Sequence, residues 1–334
     1  MHLPHAAQLP TLGAVNGTGN ARGTAVAFVA VALAWGASFL FIKVGLQGLS
    51  PGQVVLARLT LGAVTLVAVM LVTRRRWPRG GRTWAHLLVV AIGYAVVPHM
   101  LFAWAEQEVP SSLASIYNAT TPIMTLALTP LLLPSERLSR TQVAGLLTGL
   151  VGVVVLAAPW QLVSGHENTG SLVAQLACLG ATASYGFAGL YLRRFVSPGG
   201  HDPVTVATLQ IGLAALVAWA LAPVAATGPM TLALPVVASM VCLGVLGTGF
   251  AYIWFNRVFR AWGPARASTV TYLSPVVGVA LGVALLGEAV HWNEPLGGLV
   301  VVAGILASRA RRDRAPTVAA VARAGVGSGP DRAG

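Results

Sequence analysis

A chain of 334 residues that is 56% hydrophobic and only 9% charged, with 38 glycines, carries far less charge than a soluble domain, where about a quarter of residues are charged. Its net charge of +12 does not mark a nucleic-acid binder, because the arginines are dispersed over the ends of apolar stretches, without a basic face or interleaved aromatics. The composition is that of a polytopic membrane protein, with the lipid bilayer as its first partner and no nucleic acid.

Residues 1–22, rich in Pro, Gly, Thr and Asn, predict a disordered cytoplasmic leader. A signal peptide is not indicated, since Arg22 is the only basic residue before the first apolar run and nine further runs follow. Apolar segments then predict helices over 24–46, 52–73, 84–105, 112–133, 141–158, 171–192, 204–222, 234–256, 264–286 and 294–309. Each is close to the roughly 20 residues that cross a hydrocarbon core of about 30 Å. Residues 159–170 predict an external linker and residues 310–334 a disordered cytoplasmic tail.

Of 21 Lys and Arg residues, all but Lys43 and Arg58 fall in every second gap between these segments, in the two tails or, as Arg266 and Arg309 do, within three residues of the adjoining segment end. The intervening gaps, such as EQEVPSS and GEAVHWNEP, hold none. Insertion retains basic residues on the cytoplasmic side, so the partition predicts ten crossings with both termini inside and a multi-pass protein of the cell membrane.

The two halves also match. Pro51 aligns with Pro203, Pro122 with Pro275, Glu136 with Glu288, and Trp35/Lys43 with Tyr185/Arg193, at offsets of 150 to 153 residues. The chain therefore reads as a duplicated five-helix unit, 23–158 and 171–309. Five crossings per unit force the second copy to run upside down. The expected fold is all-α integral membrane, ten transmembrane helices as two inverted five-helix repeats, an arrangement frequent in secondary transporters.

The segments WGASFLFIK with Arg58, FAWAEQEVPSSLASIYNATTPIMTLALTPLLLPSE and AYIWFNRVFRAWGPARASTVTYLSPVVGVALGVALLGE together resemble the drug/metabolite transporter superfamily, specifically its ten-helix members built from two EamA domains. The likeness covers residues 24–309. It implies a central cavity lined by helices of both halves and export of small metabolites, such as amino acids, or of drugs. One departure is Gln210, which stands in the second half where the first has Arg58.

Arg58 and Lys43 are the only Lys or Arg residues inside predicted spans, apart from Arg266 and Arg309 at span ends on the arginine-bearing side. Such residues face a cavity or a partner, or snorkel to the head groups. Arg58 is expected either to bind an anionic group of the substrate or to form an external gate with Glu106. Pro122 and Pro275 are expected to break the fourth and ninth helices near the midplane, with Asn118 and Tyr272 among the polar neighbours that satisfy the freed backbone or touch substrate. Trp35, Tyr94 and Tyr185 fall at mid-depth, where a ring can present its face to a substrate or pack against other helices. His99 is either a packing histidine or a proton relay. Cys178 and Cys242 read as small buried hydrophobes. The GxxxG pairs Gly145/Gly149 and Gly278/Gly282 fit close helix packing and leave a homodimer possible.

The chain has no phosphate-binding GxxxxGK[ST] loop, no HExxH and no GxSxG, and no metal or cofactor is expected. The reading is a secondary transporter, not an enzyme, with Arg58, Lys43, Trp35, Tyr94, His99, Asn118, Tyr185 and Tyr272 as candidate cavity residues. Its rivals are a carrier of nucleotide sugars or lipid intermediates on the same fold, and a membrane-embedded enzyme, sensor or channel.

Overall fold

The computed structural model describes residues 18–78, 80–158 and 171–309; the expected linker, the tail and residues 1–17 of the expected leader lie outside them. The described residues are helical, with no strand among them. In chain order the helices are α1 (Thr18–Gly45), α2 (Pro51–Val72), α3 (Gly81–Ala105), α4 (Ser111–Asn118), α5 (Thr121–Leu132), α6 (Arg140–Ala157), α7 (Leu172–Gly199), α8 (Pro203–Ala225), α9 (Leu234–Gly263), α10 (Val270–Leu286) and α11 (Asn293–Arg309). Seven of them are long and apolar enough to cross a membrane, and α10 and α11 are shorter apolar helices. The chain is a multi-pass membrane protein, all-helical in its regular structure among the described residues. Residues 18–22, expected in the leader, already belong to α1.

The sequence sets several helix starts. Ser50 caps α2 with a reciprocal bond pair, its own N–H donating to Gln53 Oε1 at 2.8 Å and the Gln53 N–H to its hydroxyl, and Pro51 fills the first turn, where an N–H has no helical partner. Ser139 and Gln142 repeat the device at α6. Asp202 caps α8 by accepting from Val204 N at 3.0 Å and Thr205 N at 3.1 Å.

Polarity runs inside out, as hydrocarbon requires: Gln53, Ser115, Thr182 and Arg58 are buried while Leu33, Val64, Leu131 and Val276 are exposed. With lipid outside, helices gain little by hiding apolar surface and associate instead through close backbone approach. The α6–α11 pair shows it. A Cβ on Gly152 would lie 2.6 Å from Val301 N, and one on Gly297 would lie 2.7 Å from Leu156 N. Gly145 meets Gly304 in the same seam, Gly149 meets Ile123, and Gly278 meets Ser115. These GxxxG pairs therefore serve packing within the chain.

Helix pairing is reciprocal between the halves. α1 packs on α9 and α10, as α7 packs on α3 and α5, while α2 pairs with α8 and α6 with α11. The connections sort into two sets. Asp202 forms ion pairs with Arg75 and, at 3.5 Å, with Arg260, and Glu136 pairs with Arg193, which gathers arginine-bearing connections at one end of the bundle. At the other end Gln53 Nε2 donates to Ala226 O and Gly228 O, and Thr231 N to Gly48 O.

Burial raises the Asp202 carboxyl, but the Thr205 N–H and Arg75 outweigh it and hold the group below its ordinary value of 3.8. A depressed carboxyl stabilises the fold above its unfolded pKa and loses that contribution as pH falls through the folded one. Asp202→Asn should therefore lower the melting temperature of the purified protein at pH 7, with the difference from wild type shrinking as pH drops below 3.8; a constant difference would contradict the ion pairing. Gly152→Leu should cost about 1–3 kcal/mol through overpacking, read as a lower melting temperature in detergent. Gly189→Ala, where an added Cβ meets nothing within 4 Å, should leave that temperature unchanged.

Candidate functional site

Three local features bend the helices around a central cavity. In α3 a wide turn spans Ile92–Val96, with Val97 N donating to Ile92 O, just ahead of Pro98, whose missing N–H cannot continue the ordinary ladder. In α9 a longer wide turn, Cys242–Phe250, coincides with the glycine-rich run GVLGTG. Between α4 and α5 the helix stops at Asn118 and restarts at Thr121.

The break precedes Pro122, which sits in the first turn of α5. The expectation for Pro275 fails: it lies inside α10, and the interruption of that segment is at Ser268–Thr269, before Val270. A proline removes only its own bond to the carbonyl four residues back, and a packed bundle tolerates that loss.

Eight helices line the resulting cavity, of ≈130 Å³: Trp35, Ser38, Phe39 and Ile42 from α1, Arg58 from α2, Tyr94, His99 and Phe102 from α3, Asn118 and Thr121 from α4 and α5, Tyr185 from α7, Gly247, Thr248 and Tyr252 from α9, and Thr271 and Ser274 from α10. Arg58 Nε donates to Thr248 Oγ1 at 3.0 Å. The approach is possible because α2 and the wide turn of α9 meet through small residues: a Cβ on Gly62 would lie 2.6 Å from Thr248 Cγ2. The cavity walls are rings in edge contact, Trp35 with Tyr252 at 6.4 Å, Tyr94 with Tyr185 at 5.2 Å and Phe39 with Phe102 at 5.4 Å. His99 stands 6.4 Å from Tyr185, and its buried Nδ1 has no hydrogen-bond partner.

Six of the eight candidate residues thus meet at one cavity: Arg58, Trp35, Tyr94, His99, Asn118 and Tyr185. Lys43 does not reach it. Its Nζ donates to the carbonyls of Glu106 at 2.6 Å and Val109 at 3.1 Å, where the C-terminal end of α3 offers unpaired acceptors. Tyr272 points elsewhere too, packing beside Ile123, Val301 and Ile305. Glu106 is fully buried, neither carboxylate oxygen has a hydrogen-bond partner, and it forms no ion pair with Arg58. Gln210 donates to the Tyr252 hydroxyl at 3.4 Å and faces a neighbouring recess. Thr248 and Tyr252 complete the site. The repeat offers a signal for both, since the wide turns of α3 and α9 lie at corresponding positions.

The cavity is asymmetric along the bundle. A recess of ≈740 Å³ shares Thr121 with it and continues past Thr125 and Thr129 to Glu136, Arg137 and Arg193. A second, of ≈350 Å³, shares Tyr94 and Tyr252 and reaches His201 and Asn256. Both lie toward the arginine-bearing end. At the opposite end, Glu288 accepts from Ser111 N and Ser112 N at 2.8 Å each, which seats a carboxylate on the N-terminus of α4. With the Lys43 contacts, that end is tied shut.

Thr248→Val keeps the side-chain volume but leaves Arg58 Nε unpartnered, at a cost of about 1–3 kcal/mol. The variant should melt at lower temperature than wild type while Thr248→Ser does not; equal melting of Val and wild type would contradict the bond.

Residues 23–158 and 172–309 each match the EamA-like transporter family. Among curated relatives, the uncharacterized inner membrane transporter YedA of Escherichia coli is 26% identical over 84% of this chain and 89% of its own. A probable terminal-alkyne amino-acid exporter of Streptantibioticus cattleyicolor is 28% identical over 84% and 91%. A probable amino-acid metabolite efflux pump of Salmonella typhimurium is 25% identical over 82% and 91%. One solved crystal structure, 20% identical, aligns with a TM-score of 0.60 over 86% of this chain and 98% of that one, which shows a shared fold.

Proposed function

The chain belongs to the EamA-like transporter family, and on that premise we propose that it is a secondary transporter that exports small metabolites, amino acids or related compounds among them, or drugs, across the cytoplasmic membrane by alternating access. The observation that carries this is the cavity itself, lined from both halves, tied shut at one end and continued by recesses at the other. A site that must face each side in turn needs walls from two units that move against each other.

The topology proposed with it is ten crossings in two inverted five-helix repeats, residues 23–158 and 171–309, with both termini in the cytoplasm. Three observations support it: the arginine partition, the reciprocal pairing of helices, and the pairing of α4 with α5 end to end, which makes one interrupted crossing of two short helices. The arginine-bearing end is then cytoplasmic, and the arrangement faces inward. A single arginine and ≈130 Å³ are too little for a nucleotide diphosphate, and the tied end argues against an open channel.

Counterflow in proteoliposomes tests the proposal without presuming a coupling ion. Vesicles holding the full-length protein should accumulate at least one labelled compound from a panel of amino acids, their derivatives, small carboxylates such as benzoate, and drugs when loaded with the unlabelled form, above protein-free vesicles. No counterflow across the panel would contradict it. The same vesicles with an imposed proton gradient then read out coupling, and His99→Ala reports whether His99 takes part.

A further inference from the structure

Resting on the reading of this cavity as the transport site, we infer that its substrate is a small aromatic or otherwise flat apolar monocarboxylate rather than a zwitterion or a cation. The argument begins at Arg58. A guanidinium offers five N–H donors in a rigid plane, and within the protein one of them is used, Nε on Thr248. Arg58 joins the cavity lining, and among the described residues its other four donors have no hydrogen-bond acceptor. Two parallel N–H···O bonds to a carboxylate are the arrangement that a guanidinium fork fits best.

The rest of the lining sets the remainder of the molecule. It contains no Asp or Glu. The nearest carboxylate along α3, Glu106, is buried outside the cavity and makes no ion pair with Arg58. A substrate ammonium would leave water for hydroxyls and ring faces with no anion to balance it, which is costly for a charge. Beyond Arg58 the bulk of the walls comes from rings set edge to face, Trp35 on Tyr252 and Phe39 on Phe102, with the short polar side chains of Ser38, Asn118, Thr271 and Ser274 between them. The volume of ≈130 Å³ is close to the roughly 150 Å³ at which an apolar cavity admits benzene. One flat ring with one carboxylate fills it.

Binding to the purified full-length protein at neutral pH, followed by ligand-induced thermal stabilisation, tests this with benzoate, benzamide, benzylamine and phenylalanine as probes. Benzoate should bind at least tenfold more tightly than its neutral isostere benzamide, and more tightly than benzylamine or phenylalanine. Arg58→Gln should erase the preference of benzoate over benzamide, and Arg58→Lys, which keeps the charge but not the planar fork, should retain part of it. Should Arg58→Gln fail to fold, the wild-type series decides by itself. Equal binding of benzoate and benzamide, tighter binding of benzylamine or phenylalanine, or an unchanged preference in Arg58→Gln would each overturn the inference. Counterflow separates the two readings: amino acids carried without competition from benzoate would leave a transporter with a different substrate class, whereas benzoate bound in the expected order without any counterflow would keep the site and remove the transporter.

Discussion

The hydrogen bond from Arg58 to Thr248 is the contact around which the centre of this bundle is arranged. A guanidinium inside an apolar helix needs a polar neighbour, and hydrocarbon supplies none. Here the partner comes from the other half of the chain, 190 residues away, on the glycine-rich wide turn of α9. That turn has two effects. Its glycines let α2 approach closely enough for the bond, and its extra width rotates Tyr252 into the cavity, against Trp35. The wide turn in α3 does the corresponding work in the first half, bringing Tyr94 and His99 to the same space. The one buried Lys or Arg side chain of the cavity also joins the two halves.

The ends of the bundle are held by different chemistry. At the arginine-free end, Lys43 meets the carbonyls that close α3, and Glu288 meets the amides that open α4, so charges of both signs sit on the helix ends that suit them. By the internal repeat, Glu136 and Arg193 correspond to Glu288 and Lys43. They lie at the arginine-bearing end, where they pair with each other and line the larger recess. In the proposed cycle the two sets exchange roles. The cluster that now ties the outer end opens, and its counterpart tightens across the inner one.

Much of this was legible in residue order. Apolar run lengths mark the helices to within a few residues, apart from the early start of α1, the extended ends of α7 and α9 and the late start of α10, and the arginine partition separates the two ends, because burial of a charge in lipid is a strong constraint. Arg58 stands out in the sequence as a cation inside a span, and Trp35, Tyr94 and Tyr185 as aromatic side chains at mid-depth; all four line the cavity. Lys43 escaped that reasoning because its long stem carries the ammonium past the cavity to carbonyls at the end of α3, a contact that depends on tertiary structure. Tyr272 escaped it because depth alone does not tell which face of a helix turns inward. Pro275 misled for a similar reason. Proline signals a missing bond, while the site of the break is set by how neighbouring helices take up the slack. Thr248 and Tyr252 looked like ordinary residues of an apolar run; their wide turn shows only as a cluster of glycines at the position where the first half carries Pro98.

The claim on which the account rests is that the Glu288 clamp on α4 must open for transport. A Ser111→Cys, Glu288→Cys protein, with Cys178 and Cys242 replaced by Ala, allows a short bis-methanethiosulfonate reagent, reversed by reduction, to cross-link that contact. With the cross-link formed, counterflow in proteoliposomes should stop, and reduction should restore it. Undiminished counterflow by the cross-linked protein would contradict the account.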